Sequence, residues 1–577
     1  MTRVTLIHVG DFRESYLREA QREYEKRLSA FCDFRCVGVK EEDAGSSPAE
    51  IEKALRKEGE QITALLPRRA YVYALCVEDG PTVPYRGIVE GFYGTPWSHE
   101  DRLSMIEFCG DVRMNTYIYA PKDDSKHRDQ WRELYDDAEE AKLTELIHAC
   151  AENNVRFVYA LSPGLDFRFT ADGYEADFEA LMAKYDSLYR LGVRDFALLL
   201  DDLPDRTAQA AANHARLVNE FREAFYANHE GLSELLTIFA EYFDGYITAD
   251  YTYTLARRLN DDVEVMWTGP DVSLINLNAA SMEQPNRLYG RKMFFWWNYP
   301  VNDLGRSHLL HMGPTEALQP GIENMSGLVS NPMIQAQASK VSLFSIADYT
   351  WNSEAYDSQL SWENSWARII TDDEQALEAF KIFCQNCASA PMSFAQTDES
   401  VYLIPYFEAF ERKLAAQEDY TAEAAALCEQ FQLIIDACDT LDAYQGTGNI
   451  SAEIRNWVDT LRDVAEVGKY VFEQLQTLSP VSKDDDQSII AMINFINDAS
   501  KRLNDTNAHT QKAAQKRIYP FIESVLSAMA ETMYPALGFP CTAAGFGSAN
   551  ADYSAMTDGQ KDTYVELGAQ VIDDHFG

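Results

Sequence analysis

No stretch of this sequence reaches the roughly 18 apolar residues that a membrane-spanning helix needs. The first residues, MTRVTLIHVGDFRES, lack the long apolar core and the cleavage site of a secretory signal. We therefore expect a soluble, cytoplasmic protein with no membrane partner. Basic residues are scarce as well, with 50 Lys and Arg against 92 Asp and Glu, a formal net charge of -42. Because such a charge repels phosphate backbones wherever it is evenly spread, nucleic acid is a poor general partner.

Cysteine is also sparse, since ten cysteines in 577 residues form no disulfide framework. Most of them lie inside apolar runs, which indicates reduced core residues. Cys384 and Cys387, in FCQNC, have the CxxC spacing of redox and zinc sites, but no second pair and no suitably spaced histidine lies nearby. On a helix the same spacing places two small apolar residues on one face, and we predict no metal site and no cofactor.

Length and composition allow two or three folded domains, because 577 residues with 46% hydrophobic and 12% aromatic residues can fill large cores. Residues 1–80 alternate strand-like and helix-like patterns (VTLIHVG, ESYLREAQREYEKRLSAF, FRCVGVK, EIEKALRKEGEQITALL, AYVYALCV). They predict a small α/β unit with a parallel sheet. Its 13 Lys and Arg nearly balance 15 Asp and Glu, so most of the acidity lies downstream.

Residues 85–352 contain eight short apolar runs, each bounded by polar residues, glycine or proline. The intervals between them leave room for a helix and its loops, which predicts a (β/α)8 barrel, also called a TIM barrel. Residues 353–577 show helical periodicity instead and predict an α-helical bundle. The eight runs are RGIVEGFY, TYIYAP, RFVYALSP, FALLLDD, LLTIFAEY, EVMWTG, KMFFWWN and GLVSNPM.

Polar residues collect at the C-terminal ends of the eight runs, where barrel enzymes build their sites. We therefore expect one pocket at this rim. The residues at these ends are Gly91, Lys122, Ser162, Asp201, Asp202, Tyr242, Thr268, Asn298 and Asn331.

Asp201 and Asp202 are the strongest candidates for acid–base chemistry. Side chains alternate across a strand, so both can face the pocket only if the chain bends as it leaves the barrel. If they do, like charges held close raise one pKa, and that carboxyl can act as an acid beside an anionic partner. The alternative is structural, since an Asp pair at a strand end often caps the next helix.

Aromatic residues near the other strand ends suit the C–H faces of sugar rings, and amides and carboxylates suit sugar hydroxyls. Lys122, in YAPKDDSKHRDQW, is either a solvated surface lysine or a donor to such hydroxyls. The composition of the rim favours a sugar site. The aromatic candidates are Phe92, Tyr93, Trp97, Tyr242, Trp267, Trp296, Trp297 and Tyr299, and the polar ones are Asn298, Asp303 and Asn331.

The ordered motifs RGIVEGFYGTPWSHEDR, NTYIYAPKDDSKHRDQWRELY, VYALSPGLDF, FALLLDDLPD, MWTGPDV and FFWWNYPVNDLGR strongly resemble glycoside hydrolase family 84. Members of this family are β-N-acetylglucosaminidases. The resemblance implies a retaining, substrate-assisted mechanism in which the 2-acetamido oxygen of the sugar attacks the anomeric carbon. It also implies an N-acetylglucosamine-containing glycan or glycoprotein as the partner. One departure is visible, because FA precedes Glu241 and Tyr242 where the family often has PT.

The resemblance also implies a role for each residue of the motifs. Asp201 orients the acetamido N–H, and Asp202 protonates the leaving oxygen and then activates water. Tyr242 holds the acetamido group or the bond being broken, and Thr268 flanks the acetamido pocket. The remaining positions contact the sugar: Gly91 through its carbonyl, Lys122 through hydroxyls, and Trp296, Asn298, Asp303 and Asn331 as the pocket wall.

Residues 1–80 are similar to a different family. MTRVTLIHVG, EAQREYEKRLS, KEGEQITALLP and YVYALCVEDG resemble the start of the SPOUT-class methyltransferase that modifies a pseudouridine of bacterial ribosomal RNA. The knotted half that holds S-adenosylmethionine in that class does not follow, so we expect no methyl transfer. The competing hypotheses are a catalytically inert protein that binds N-acetylglucosamine and ribosomal RNA methylation by residues 1–80.

Overall fold

The computed structural model describes residues 3–10, 15–28, 32–42, 48–65, 81–316, 318–388, 397–478 and 485–537. Its internal contacts divide the chain into two compact units, Met1–Asp79 and Gly80–Gly577. Among the helices within these ranges, none is long and apolar enough to cross a membrane.

The first unit contains two parallel strands. Strands β1 (Arg3–Val9) and β2 (Asp33–Val39) pair in register from Arg3 opposite Asp33 to Val9 opposite Val39. Helices α1 (Ser15–Leu28) and α2 (Pro48–Leu65) follow them in alternation, as the sequence predicts. The third predicted strand, AYVYALCV, lies outside the described residues.

The second unit contains a closed barrel of eight parallel strands, so the predicted (β/α)8 barrel is confirmed. Each strand falls on one of the eight apolar runs. The strands are β3 (Tyr85–Glu90), β4 (Thr116–Tyr119), β5 (Arg156–Leu161), β6 (Asp195–Leu199), β7 (Leu235–Ile238), β8 (Val263–Trp267), β9 (Met293–Trp297) and β10 (Met325–Ser330). Strand β10 pairs with β3 and with β9, which closes the barrel.

Helices on the outside of the barrel connect its strands and cover their outer faces. Side chains that alternate along each strand form two cores, one inside the barrel and one between strands and helices. The helices are α3 (His99–Asp111), α4 (Asp137–Glu152), α5 (Tyr174–Leu191), α6 (Ala208–Asn228), α7 (Thr252–Ala256), α8 (Glu283–Tyr289) and α9 (Ala336–Trp351).

The region after residue 353 contains helices joined by turns and loops, and no strand, in the part that the structure describes. It shares a core with the face of α9 that contributes Ala338 and Val341. Cys384, in α11, and Cys387, just after it, are both buried in this core, and burial raises both thiol pKa values well above the ordinary range. The helices are α10 (Ser358–Ile369), α11 (Glu374–Asn386), α12 (Ile404–Ala415), α13 (Thr421–Ala443), α14 (Ile450–Thr477), α15 (Asp486–Thr506) and α16 (Ile518–Leu537).

Candidate active site

A pocket of about 130 Å³ opens at the C-terminal ends of the barrel strands. All ten residues to which the family resemblance gives a role line it: Gly91, Lys122, Asp201, Asp202, Tyr242, Thr268, Trp296, Asn298, Asp303 and Asn331. Other rim and aromatic candidates from the sequence do not line this pocket, namely Ser162, Phe92, Trp97, Trp267, Trp297 and Tyr299.

Strand alternation explains why most of these side chains meet. Along six of the eight strands the last side chain facing the barrel interior is followed, two residues later, by a residue of the pocket. The interior core therefore continues upward into the pocket wall. The pairs are Val89 and Gly91, Ala120 and Lys122, Leu199 and Asp201, Met266 and Thr268, Trp296 and Asn298, and Val329 and Asn331.

Asp201 and Lys122 form a buried ion pair at the bottom of the pocket. The ammonium group of Lys122 donates to Asp201 Oδ2 at 2.5 Å, and both side chains are less than a tenth exposed. Asp201 Oδ1 is also shielded from solvent, yet it accepts no hydrogen bond from any residue that the structure describes. A buried carboxylate oxygen without a donor is costly, so this atom is an open acceptor inside the pocket.

The loop that carries Lys122 is fastened to the end of the neighbouring strand. His127 donates from Nδ1 to the carbonyl of Ala160 at 2.8 Å, and Ser162 N–H donates to the His127 carbonyl at 3.0 Å. Burial, together with the positive charge of Lys122, lowers the pKa of His127 to about 3. The imidazole therefore stays neutral and adds no second positive charge beside Lys122.

Asp202 faces the same pocket because the chain bends immediately after Asp201. The backbone of Asp202 has a φ of 55°, in the left-handed region that few residues other than glycine adopt. Its two carboxylate oxygens accept from different phenols, Oδ2 from Tyr93 at 2.7 Å and Oδ1 from Tyr242 at 2.9 Å. The bend that the sequence argument requires is therefore present.

The pKa of Asp202 departs from the sequence-based expectation that one carboxyl of the pair has a raised pKa. Burial alone would raise it, but the charge of Lys122 and the two phenol donors outweigh burial, and the pKa of Asp202 lies below its ordinary value. The phenols change in the opposite direction, because burial and the negative charge of Asp202 raise the pKa of Tyr93 and of Tyr242. Both phenols therefore remain protonated donors.

Trp296 closes one side of the pocket against Gly91. A Cβ atom on Gly91 would lie 2.5 Å from Cζ2 of the Trp296 ring, so the ring reaches this position only because residue 91 is glycine. The indole N–H of Trp296 donates to Asn298 Oδ1 at 2.8 Å, which fixes the ring within the wall.

Asn298 and Asn331 link two neighbouring strands across the pocket. Asn331 Nδ2 donates to Asn298 Oδ1 at 3.0 Å, and Asn298 Nδ2 donates to the Val272 carbonyl at 2.9 Å. Asn331 Oδ1 accepts from the N–H of Gly91 at 3.3 Å. Because each amide is held at both ends, its orientation in the pocket wall is defined.

Asp303 and Thr268 complete the set. Asp303 Oδ2 accepts from the Tyr93 N–H at 2.8 Å, and burial raises the pKa of this carboxyl above its ordinary value. Thr268 N–H donates to the Tyr242 carbonyl at 2.9 Å, and its hydroxyl donates to the Asp271 carbonyl at 2.9 Å. The Thr268 N–H thus holds the backbone of Tyr242, and the phenol of Tyr242 donates a hydrogen bond to Asp202.

The sequence predicts Tyr93 as an aromatic residue of the sugar site, but it does not predict the hydrogen bond from the Tyr93 phenol to Asp202. The other further lining residues are not predicted. Loop residues carry no periodic signal. The further lining residues are Tyr93, Ile238, Val272, Ser273, Val301, Leu304 and Arg306.

Two family models match different parts of the chain. The family model for beta-N-acetylglucosaminidase matches residues 86–385, and the model named "Predicted SPOUT methyltransferase" matches residues 2–83. The ribosomal RNA large subunit methyltransferase H of Ligilactobacillus salivarius is 46% identical over 77 residues, which cover 13% of this chain and 48% of that protein. Both resemblances drawn from the sequence motifs are thus confirmed.

The barrel region is also similar to a curated mammalian protein and to a solved structure. Protein O-GlcNAcase of Rattus norvegicus is 31% identical over 311 residues, which cover 52% of this chain and 33% of that protein. The chain therefore spans about a third of the length of this relative. The solved structure of CpGH84B matches with a TM-score of 0.69 and 33% identity over 78% of each chain. Since the family model covers more than half of the sequence, the protein belongs to the beta-N-acetylglucosaminidase family, glycoside hydrolase family 84.

Proposed function

We propose that the protein is a retaining glycoside hydrolase that removes β-linked N-acetylglucosamine from a glycan or glycoprotein, with the acetamido group of the substrate as nucleophile. The observation that carries the proposal is the difference between two adjacent pocket carboxylates. Asp201 pairs with Lys122 and keeps one buried oxygen open, whereas Asp202 is held between two phenols. Family membership and the name of the mammalian relative, an O-GlcNAcase, support the same choice of sugar.

Asp201 is suited to hold the acetamido group. Its open oxygen, Oδ1, can accept the acetamido N–H, which would satisfy the acceptor and turn the acetamido carbonyl oxygen toward the anomeric carbon. Lys122 donates to the other oxygen of Asp201 and so places a positive charge beside this carboxylate. An anion beside the N–H stabilises the positive charge that develops on the acetamido group as its oxygen attacks.

In the first half of the reaction the acetamido oxygen forms a bond to the anomeric carbon while the glycosidic C–O bond breaks. Asp202 donates its proton to the departing oxygen, which leaves as a hydroxyl group. The products of this step are the free aglycone, an oxazolinium-type ring on the sugar and an anionic Asp202. No bond to an enzyme side chain forms.

In the second half a water molecule attacks the anomeric carbon and opens the ring. Asp202 takes a proton from this water and returns to its starting state, and the acetamido group is restored. The net change is the addition of one water molecule across the glycosidic bond. Two displacements at the same carbon retain its configuration.

The lowered pKa of Asp202 fits the second half directly, because an anionic carboxylate is the base that this step needs. The first half requires the protonated form. A sugar seated against Asp202 removes solvent from the carboxyl, and desolvation raises a carboxyl pKa. We therefore expect substrate binding to favour uptake of the proton that is later donated.

Turnover of an aryl β-N-acetylglucosaminide by the wild type and by Asp201→Asn and Asp202→Asn tests the proposal. Each substitution should lower kcat/KM by about 100-fold or more, because each removes a group that acts in the transition state. The matched control is Asp205→Asn, an exposed carboxylate on the same loop, which should leave turnover unchanged.

The outcomes separate the competing functions. Wild-type turnover of the glucosamine substrate in preference to its galactosamine epimer would support the proposed specificity. Binding of N-acetylglucosamine with no turnover would make the protein a binding module, and full activity in both Asp variants would exclude the proposed mechanism.

A further inference from the structure

Helix α9, which follows the strand that leads to Asn331, begins without a cap of its own. Its N-cap residue, Gln335, makes no capping bond with its side chain. The first N–H groups of a helix have no partner within the helix and need one from elsewhere. Glu453, on α14, supplies it, since its carboxylate accepts from Gln337 N–H at 3.1 Å and from Ala338 N–H at 2.7 Å.

The start of α9 is hydrogen-bonded to the pocket wall. Asn302 Oδ1 accepts from Ile334 N–H at 3.0 Å, and Asn302 Nδ2 donates to Gln335 Oε1 at 2.7 Å. Asn302 immediately precedes Asp303, and the residue before it, Val301, donates its N–H to the Asn331 carbonyl at 3.0 Å. A movement of the start of α9 would therefore displace both Asn331 and Asp303.

Charged groups on two barrel helices face Glu453. On α3, Asp101 accepts from the Gln337 side chain at 3.0 Å, and on α9, Lys340 donates to Ser104 at 2.7 Å. Burial and the charge of Asp101 raise the pKa of Glu453, the two N–H donors and Lys340 lower it, and the resulting pKa is about 7. The further groups that face Lys340 are Glu107 and Cys109.

Ionisation changes what this carboxyl group can do for the helix. As an anion it offers two strong acceptors to the two N–H groups and a negative charge at the positive end of the helix dipole. When protonated it keeps one good acceptor and no charge. The two hydrogen bonds to the N–H groups are therefore stronger above neutral pH, although the raised pKa shows that the buried charge itself costs free energy there.

We propose that Glu453 is a positioning residue for the sugar pocket, and that it acts from the helical region by fixing the start of α9 and, through Asn302, the placement of Asn331 and Asp303. The proposal rests on the proposed glycosidase function. It assigns Glu453 an effect on sugar binding, and none on the proton transfers of the Asp pair. The affinity for the sugar should follow the charge of Glu453, whereas kcat should not.

Glu453→Gln tests the assignment, because it keeps the shape of the side chain and removes its charge. At pH 8 the KM for an aryl β-N-acetylglucosaminide should rise by about 3- to 10-fold with kcat within about 2-fold of the wild type, in line with the usual size of a charge–helix interaction. Below about pH 6 the two proteins should converge, because the wild-type carboxyl is then neutral as well. Glu453→Asp, which keeps the charge, should recover part of the lost affinity.

Asp373→Asn is the matched control. Asp373 also caps a helix with a carboxylate, accepting from Gln375 and Ala376 N–H at 2.8 and 3.0 Å, but at the start of α11, away from the pocket. This variant should lower the melting temperature and leave KM unchanged. An equal rise in KM in both variants, or no rise in Glu453→Gln, would overturn the proposal.

Hydrogen exchange provides a readout that does not need turnover. In Glu453→Gln the amides of Gln337 and Ala338, and those of Asn331, Met333, Ile334 and Gln335, should exchange about 3- to 10-fold faster at pH 8, the same factor as for KM. An inactive wild type that still shows this change would contradict the proposed function and leave the positioning role standing. Unchanged exchange would contradict the positioning role alone.

Discussion

At the scale of single residues, Asp201 and Asp202 show how two identical neighbours acquire different chemistry. Asp201 follows the inward alternation of its strand and meets Lys122, whereas the left-handed backbone of Asp202 turns its carboxylate toward two phenols. Partner groups, and not residue type, set the electrostatic surroundings of each carboxyl group. The same reasoning predicts how the loss of one phenol donor changes the pKa of Asp202.

Tyr93→Phe should shift the alkaline limb of the pH profile of kcat/KM to higher pH. The Tyr93 phenol stabilises the anion of Asp202, so its removal raises the pKa of the acid, and the protonated form persists to higher pH. One hydrogen bond to a charged group corresponds to a shift of about one pH unit. The measurement is kcat/KM against pH for an aryl substrate.

Tyr246→Phe serves as the control for this shift. Tyr246 lies beside Tyr242 on the same rim, with ring centroids 5.8 Å apart, but its phenol is not among the donors to Asp202. Its profile should match the wild type. An alkaline limb that stays in place in Tyr93→Phe would show that Tyr93 does not control this carboxyl group.

The sequence could predict the residues of the pocket better than their protonation. Alternation along a strand and the family motifs bring Lys122, Asp201 and Asn331 to one rim, and all three line the pocket. The lowered pKa of Asp202 depends on the distances to Lys122, Tyr93 and Tyr242, which come from three other strand ends. No local pattern in the sequence encodes distances of this kind.

At the scale of elements, strand β3 and helix α3 are joined by a buried ion pair. Glu90 is the last residue of β3 and is fully buried, where it accepts from Arg102 of α3 at 2.8 Å and from the Tyr117 phenol at 2.5 Å. The Glu90–Arg102 pair therefore holds the end of β3 from the helix side. Gly91, at the same end, lines the pocket.

Arg102→Met should lower the free energy of unfolding by about 3–5 kcal/mol, because it leaves the Glu90 carboxylate buried without its cation. Denaturant unfolding measures this loss. The double variant Glu90→Gln with Arg102→Met should recover much of it, since no buried charge then remains. A single variant within about 1 kcal/mol of the wild type would show that the ion pair does not fix the strand end.

Element boundaries were predictable where apolar runs are short and punctuated, as in the eight barrel strands. The capping of α9 by Glu453 was not, because the two partners are more than 100 positions apart in sequence. Periodicity alone predicts that a glutamate on a long amphipathic helix faces solvent. Its role depends on how α14 packs against α9.

At the scale of the whole molecule, every residue of the candidate pocket belongs to the second compact unit. The first unit, Met1–Asp79, resembles part of a methyltransferase, and the matched protein extends to about twice the aligned length. Residues 1–80 also differ from the remainder in composition, since their charges nearly balance whereas the remainder is strongly acidic.

A variant that lacks residues 1–79 should keep the kcat/KM of the full chain for an aryl β-N-acetylglucosaminide within about 2-fold, because no pocket residue is removed. The measurement compares both proteins at equal concentration, with circular dichroism as the control for folding. A folded variant that loses activity would assign the first unit a part in catalysis.

The most direct test of the division of roles between Asp201 and Asp202 is the dependence of kcat/KM on the leaving group in Asp201→Asn and Asp202→Asn. The Asp202 variant should lose least with the most acidic phenol leaving groups, which need little help from an acid, and most with poor ones. The Asp201 variant should lose activity by about the same factor, 100-fold or more, across the whole series. The same leaving-group dependence in both variants would contradict separate roles for the two aspartates.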